Sequence, residues 1–142
     1  MPYNQVSLVK EVGVSDQPLA ALKRVLAKEP QLDFAVLIGS QATNQARPGS
    51  DWDIAVQWHS SPPVLAQLAR QETLRRHLAT AIEVDDTQLD LIDLQRANLA
   101  MRAAVAEEGI PLKGEDELPW MRFLTRTWRD LEHWYLEQEY AS

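Results

Sequence analysis

Two aspartates one residue apart, Asp51 and Asp53, flank Trp52 where an apolar run begins, and an earlier apolar run stops at Gly39-Ser40, with ten residues between Ser40 and Asp51. Residues two apart in a strand point the same way, so Asp51 and Asp53 project from one face while Trp52 and Ile54 project into the core. Adjacent like charges repel, and unpaired on a half-buried surface they cost stability. A hard divalent cation removes both penalties. Mg²⁺ prefers carboxylate oxygen and keeps positions open for water and phosphate. A glycine at a strand end lets a phosphate approach the backbone, and the serine adds a hydroxyl and an amide donor. If residues 41–50 begin as a helical turn, its N-terminus attracts the same anion. The stretch therefore suits a metal-bound nucleoside triphosphate.

A third carboxylate completes the set. Asp90 opens the run DLIDL, with Leu89 and Leu91 directed to the core and Asp90 to the other side. That side is the metal face if this strand lies beside Asp51–Trp58. Asp93 points opposite to Asp90 and is the second choice; Asp85 and Asp86 fall in a turn. Neither Gly-Ser nor Asp-x-Asp alone carries weight, since solvated acids at strand edges are common. The two at this spacing, between two apolar runs, are far more specific. Arg47 in the loop is a lesser candidate for the triphosphate, and His59 for a base or sugar. Arg75, Arg76 and His77 read as a basic helix surface, and His133 as structural.

These residues need strands and helices to hold them. Ser15 or Asp16 can cap a first helix with Pro18 in its first turn; Leu19, Leu22, Val25 and Leu26 fall at helical spacing, and Pro30 ends it. Residues 1–14 read as a loose arm. Phe34–Ile38 is a short buried strand, and 41–50 is a loop with Pro48-Gly49 at its turn. In Asp51–Trp58, Trp52, Ile54, Val56 and Trp58 alternate with Asp51, Asp53, Ala55 and Gln57. Pro62-Pro63 opens a long helix with Leu65, Leu68, Leu74 and Leu78 as buried candidates. A third strand lies within Ile82–Val84 and Leu89–Leu94. A helix at 96–108 ends at Gly109, and Ile110–Leu112 adds a short strand. The helix from Leu118 is rich in aromatics. Its stripe Leu124, Trp128, Leu131, Tyr135 is expected to cover the core, with part of 118–142 held open as an interface. The order of elements predicts an α+β fold with a small sheet.

The chain has 142 residues, which suits one domain of 1–142 with its core at about 16–114 and a helical segment at 116–140. Lys plus Arg is 14 against 21 Asp plus Glu, a net charge of −7, so no direct nucleic-acid partner is expected. Without cysteine there is no disulfide or thiolate metal site. No secretory signal or membrane-spanning run is visible, and the cytoplasm is the expected location.

Gly39-Ser40, ten residues, then Asp51-Trp52-Asp53, with DLIDL some forty residues on, resembles the DNA polymerase β-like nucleotidyltransferase superfamily. Over roughly residues 18–114 the chain is similar to its minimal nucleotidyltransferase (MNT) branch, in particular to antitoxins encoded beside a HEPN-domain ribonuclease toxin. The resemblance implies a small mixed sheet with helices on one face and the active site on the other, with ATP as substrate and Mg²⁺ as cofactor. It implies AMP transfer to a tyrosine hydroxyl of the HEPN toxin, sometimes repeated into a short oligo-AMP chain. Gly39 and Ser40 would hold the triphosphate. Asp51, Asp53 and Asp90 would hold the metals, Asp90 also helping to deprotonate the acceptor. Family members usually carry a small or aliphatic residue at position 52; Trp52 departs from this, but on the core face. Two other readings stay open: an antitoxin that acts by binding alone, and a nucleotidyltransferase acting on a small-molecule hydroxyl or a nucleic-acid end.

Overall fold

Proline and glycine divide the chain into elements much as the pattern suggests. The structure is a computed structural model, and it describes residues 16–141. The expected arm at 1–14 and the possible cap Ser15 lie outside these. Helix α1 (Asp16–Ala27) buries Leu22 and Leu26 and stops before Pro30. Strand β1 (Leu32–Ile38) starts two residues earlier than expected. A 3₁₀ turn (Gly39–Gln41) and a loop lead to β2 (Trp52–Trp58). Helix α2 (Val64–Ala81) follows. Strand β3 is Leu89–Asp93; Ile82–Val84 instead forms a turn, with Glu83 at φ 58°. Helix α3 spans Leu99–Glu108 rather than 96–108, because Asn98 caps it through its side chain and Leu94–Arg96 forms a separate 3₁₀ turn. Strand β4 (Ile110–Lys113) and helix α4 (Leu118–Ala141) complete the chain.

The four strands form one mixed sheet in the order β3-β2-β1-β4. β1 runs antiparallel to both β2 and β4, while β2 and β3 are parallel, with Asp53 opposite Asp90. Helices α1 and α2 cover one face, where Leu22, Leu26, Leu74 and Leu78 meet Leu37, Ile54, Val56 and Trp58. This is the helical layer expected from the resemblance. The opposite face is shared. Phe34, Val36, Ile38 and Ala55 pack against Leu94, Val105, Trp120 and Phe123, so α3 and the first half of α4 lie over it. Ala55, expected in the outward set, is therefore buried. Phe34 packs edge-on to Trp120 at 5.1 Å, and Trp120 stacks on Phe123 at 5.6 Å. Arg102 bridges to Asp130 at 2.7 Å and joins α3 to α4.

Two further expectations of burial change. Along α2 the inward stripe is Gln67, Gln71, Leu74 and Leu78, where Gln67 is 5% exposed. Gln67 Nε2 donates to Asp93 Oδ2 and Gln71 Nε2 to the Leu91 carbonyl, so this stripe serves β3 with amides as well as leucines. Leu65 and Leu68 lie off it and are exposed. Along α4 the buried residues are Trp120, Phe123 and Thr127, while Trp128 and Tyr135 are exposed. Among the described residues no helix is long and apolar enough to cross a membrane.

Leu74→Ala is expected to cost about 2–5 kcal/mol in urea unfolding, as a buried leucine truncation leaves a cavity. Leu65→Ala is expected to stay within about 0.5 kcal/mol. Equal losses at the two positions would contradict the assigned inner stripe.

Candidate active site

The site sits where β1 ends and β2 begins, at the sheet end left open by α3 and α4. At the end of β1 the backbone must turn away at once. Gly39 does this at φ 75°, a left-handed conformation open to glycine at little cost. A Cβ built on Gly39 would lie 2.7 Å from Asp53 Oδ2. The Asp53 carboxylate therefore rests against bare backbone, and a side chain at position 39 would displace it. Ile38 pairs with Asp53 across β1 and β2, which sets this contact.

The loop after Gly39 begins as the helical turn considered above. Ala42 and Thr43 both donate backbone N–H to the Gly39 carbonyl, at 3.0 and 3.2 Å. The loop is closed upon itself: Gln41 Nε2 donates to the Ser50 carbonyl at 3.3 Å, and the Arg47 N–H donates to Ser50 Oγ at 2.7 Å. Asn44 and Gly49 take positive φ at its bends. Ser40 is half-buried at the start of this turn, and the Arg47 side chain is out in solvent.

Asp90 lies beside Asp53 on the neighbouring strand, in register across the parallel pair. Asp51, just before β2, is exposed. The Asp53 carboxyl is raised above the ordinary aspartate range, first by burial, then by repulsion from Asp90 and Asp51. The three acids thus share one electrostatic neighbourhood with Asp53 at its centre. Among the described residues no three acidic or imidazole side chains converge tightly enough to enclose a metal ion alone. This donor set fits Mg²⁺ arriving with a triphosphate, because Mg²⁺ commonly takes one or two carboxylates with phosphate oxygens and water.

Asp93 is not in this group. Its carboxylate accepts from Gln67 on the α2 side and from the Gln95 N–H, capping the next turn. His59 lies at the far end of β2, its Nδ1 3.2 Å from Asp33 Oδ1, so it does not face the acids. His133 is exposed, 3.7 Å from Glu137.

Arg75 was expected to be part of a helix surface, but its side chain is largely buried. Nε and Nη2 donate to Glu72 at 2.9 and 2.6 Å, which holds the Glu72 carboxyl down at about 2. Nη1 then reaches the carbonyls of Asp86 and Leu89, the latter at 3.2 Å. Arg75 thereby clamps the start of β3, the residue before Asp90. Glu72 and Arg75, three apart on a helix, are the only local signal of it in the sequence, and that signal also fits a solvated pair. Asp86 and Leu89 come to it only through folding.

A family model described as polymerase beta, nucleotidyltransferase matches residues 20–118. No curated protein matches the chain. Among solved structures, a chain from a toxin–antitoxin complex with AMP-PNP is 25% identical with a TM-score of 0.66, covering 87% of this chain and 94% of that one. A chain from the toxin–antitoxin MntA–HepT is 24% identical, with a TM-score of 0.61 over 89% of this chain and 95% of that one. A chain from the tri-AMPylated Shewanella oneidensis HEPN toxin in complex with MNT antitoxin is 23% identical, with a TM-score of 0.60 over 87% of this chain and 94% of that one. At these identities the last two show likeness of fold. The family match takes in the whole sheet and the ends of β1, β2 and β3 on which the acids and Gly39 stand, and on that match this chain belongs to the polymerase beta nucleotidyltransferase family.

Proposed function

We propose that the chain is an antitoxin that transfers AMP from ATP to a tyrosine hydroxyl of a HEPN-domain toxin and so neutralises it. The observation that carries the reading is the contact at the strand ends, where Asp53 rests on the Gly39 backbone with Asp90 in register beside it. The AMP-PNP of the 25%-identical neighbour and the tri-AMPylated toxin of another support the substrate and the acceptor class.

In this reading Asp51, Asp53 and Asp90 hold Mg²⁺, and Gly39 and Ser40 hold the triphosphate through backbone amides and the Ser40 hydroxyl. Bound there, Mg²⁺ supplies charge neutralisation for the triphosphate and acidity to the acceptor hydroxyl. The tyrosine oxygen attacks the α-phosphorus in line. A new O–P bond forms, the bond from the α-phosphorus to its bridging oxygen breaks, and pyrophosphate leaves. The phenolic proton passes to Asp90. An unperturbed phenol has a pKa of about 10, so a nearby carboxylate base matters. Positioning and charge stabilisation supply most of the rate.

Intact mass of a HEPN-domain toxin tested as the proposed partner, after incubation with the chain, ATP and Mg²⁺, is expected to rise in AMP steps. An Asp51→Ala, Asp53→Ala variant is expected to add none. If the toxin gains no mass yet is still inhibited by the variant, binding alone neutralises it and the catalytic reading falls. Gly39→Ala is expected to remain folded and lose about 100-fold in transfer rate, as a displaced Asp53 costs about that much.

Asp53 also makes a pH prediction. Its raised pKa means that the folded protein keeps the proton to higher pH than the unfolded chain. Stability therefore falls as pH rises through the window above the ordinary aspartate range, and the cost is fully present above it. Asp53→Asn in EDTA should raise the melting temperature at neutral pH, with the gain vanishing below about pH 3, where both states are protonated. A gain that persists in acid, or none at neutral pH, would count against the burial and crowding that raise it.

A further inference from the structure

The inward face of α4 outruns the domain it covers. Trp120, Phe123 and Thr127 on that face are buried, but from Glu132 onward every described residue is exposed. Trp134 follows at the same helical spacing and is 45% exposed, with no described element beneath it. Tyr135 packs edge-on to Trp134 at 5.1 Å and is itself 62% exposed. Of the exposed large apolar residues, most lie on α4, with Trp128, Leu136 and Tyr140 among them. A helical stretch this short is marginal in water by itself, and a contiguous apolar patch with a polar rim marks an interaction site.

The patch has a definite shape and charge. Trp128, Leu131, Tyr135 and Leu136 line a groove of about 340 Å³, rimmed by Glu107, Glu132 and Glu139. The acidic rim selects a partner that brings an apolar helix face flanked by lysine or arginine. A second copy seated groove to groove would oppose the same acids, on a chain that already carries a net charge of −7. The groove also has a useful position. Glu107 lies at the C-terminal end of α3, and the following Gly109 meets β1 at Val36 and Leu37, two residues before Gly39. A protein held in the groove is therefore held on the side of the molecule that carries the acids.

We infer that the C-terminal half of α4, with the end of α3, is the docking surface for the acceptor protein, which inserts a basic-flanked apolar helix between Trp128 and Leu136. This assignment rests on the proposed HEPN partner, but not on catalysis. The test measures affinity of the purified chain for the HEPN-domain toxin proposed as its partner by calorimetry, without nucleotide, with sedimentation of the free chain in parallel. Trp134→Ala with Tyr135→Ala is expected to weaken binding by about 10-fold or more. Glu132→Lys with Glu139→Lys is expected to weaken it less, with a reduced salt dependence. Both variants should keep the wild-type melting shift on adding ATP and Mg²⁺, which shows that the fold and the nucleotide site are intact. Wild-type affinity in both variants, or no binding by the wild-type chain, overturns the assignment. So does a free chain that sediments as a dimer and becomes monomeric on Trp134→Ala with Tyr135→Ala, since the groove then belongs to a second copy. Stripe-dependent binding without AMP transfer supports the surface and sinks only the proposed activity.

Discussion

A carboxylate lying against bare backbone is the constraint on which the site depends. Asp53 can occupy its place only because position 39 has no Cβ, and Gly39 can turn the chain there only because glycine tolerates positive φ. The contact brings an anion beside the first turn after β1. Burial first, and then crowding by Asp90 and Asp51, raises the cost of ionising Asp53. The raised pKa means that ionising Asp53 opposes folding. Such a shift is what the proposed role of these acids in chemistry would call for.

The rest of the molecule holds that corner still. The antiparallel β1–β2 pairing places Ile38 opposite Asp53, and the parallel β2–β3 pairing places Asp90 beside it. Both pairings are backed by the leucine layer from α1 and α2. α2 also reaches β3 with polar groups. Gln67, Gln71 and Arg75 bind Asp93, Leu91 and Leu89, so the strand carrying Asp90 is fastened along its length by side chains of one helix. A strand at the sheet edge has only one neighbour, and these bonds supply what a second neighbour would give.

On the opposite face the same sheet supports α3 and α4, and their coverage is unequal. The Phe34, Trp120 and Phe123 cluster closes the far end, while the end bearing Gly39 and Asp53 stays accessible. α4 is longer than the face it covers. The surplus turns form an aromatic, acid-rimmed ledge, the surface proposed above to meet a partner.

The local order of types along the chain was enough for much of this. Gly39-Ser40 and Asp51-x-Asp53 between two apolar runs marked the strand ends, because a two-residue period and a glycine turn are properties of neighbours. Asp90 could be separated from Asp93 for the same reason, since residues three apart on a strand face opposite ways. Burial and long-range bonding were not legible. Leu65 and Leu68 look like core leucines, yet Gln67 and Gln71 take the inner stripe because β3 offers carbonyl and carboxylate acceptors there. Ala55 looks outward-facing until α3 folds over it. Arg75 looks solvated until the β3 carbonyls arrive. Trp128 and Tyr135 look like core until the domain ends beneath them. Sequence carries the periodicity of each element, which depends on adjacent residues. Which side of an element is covered, and how far, depends on the partner that packs there, and only the tertiary structure decides that.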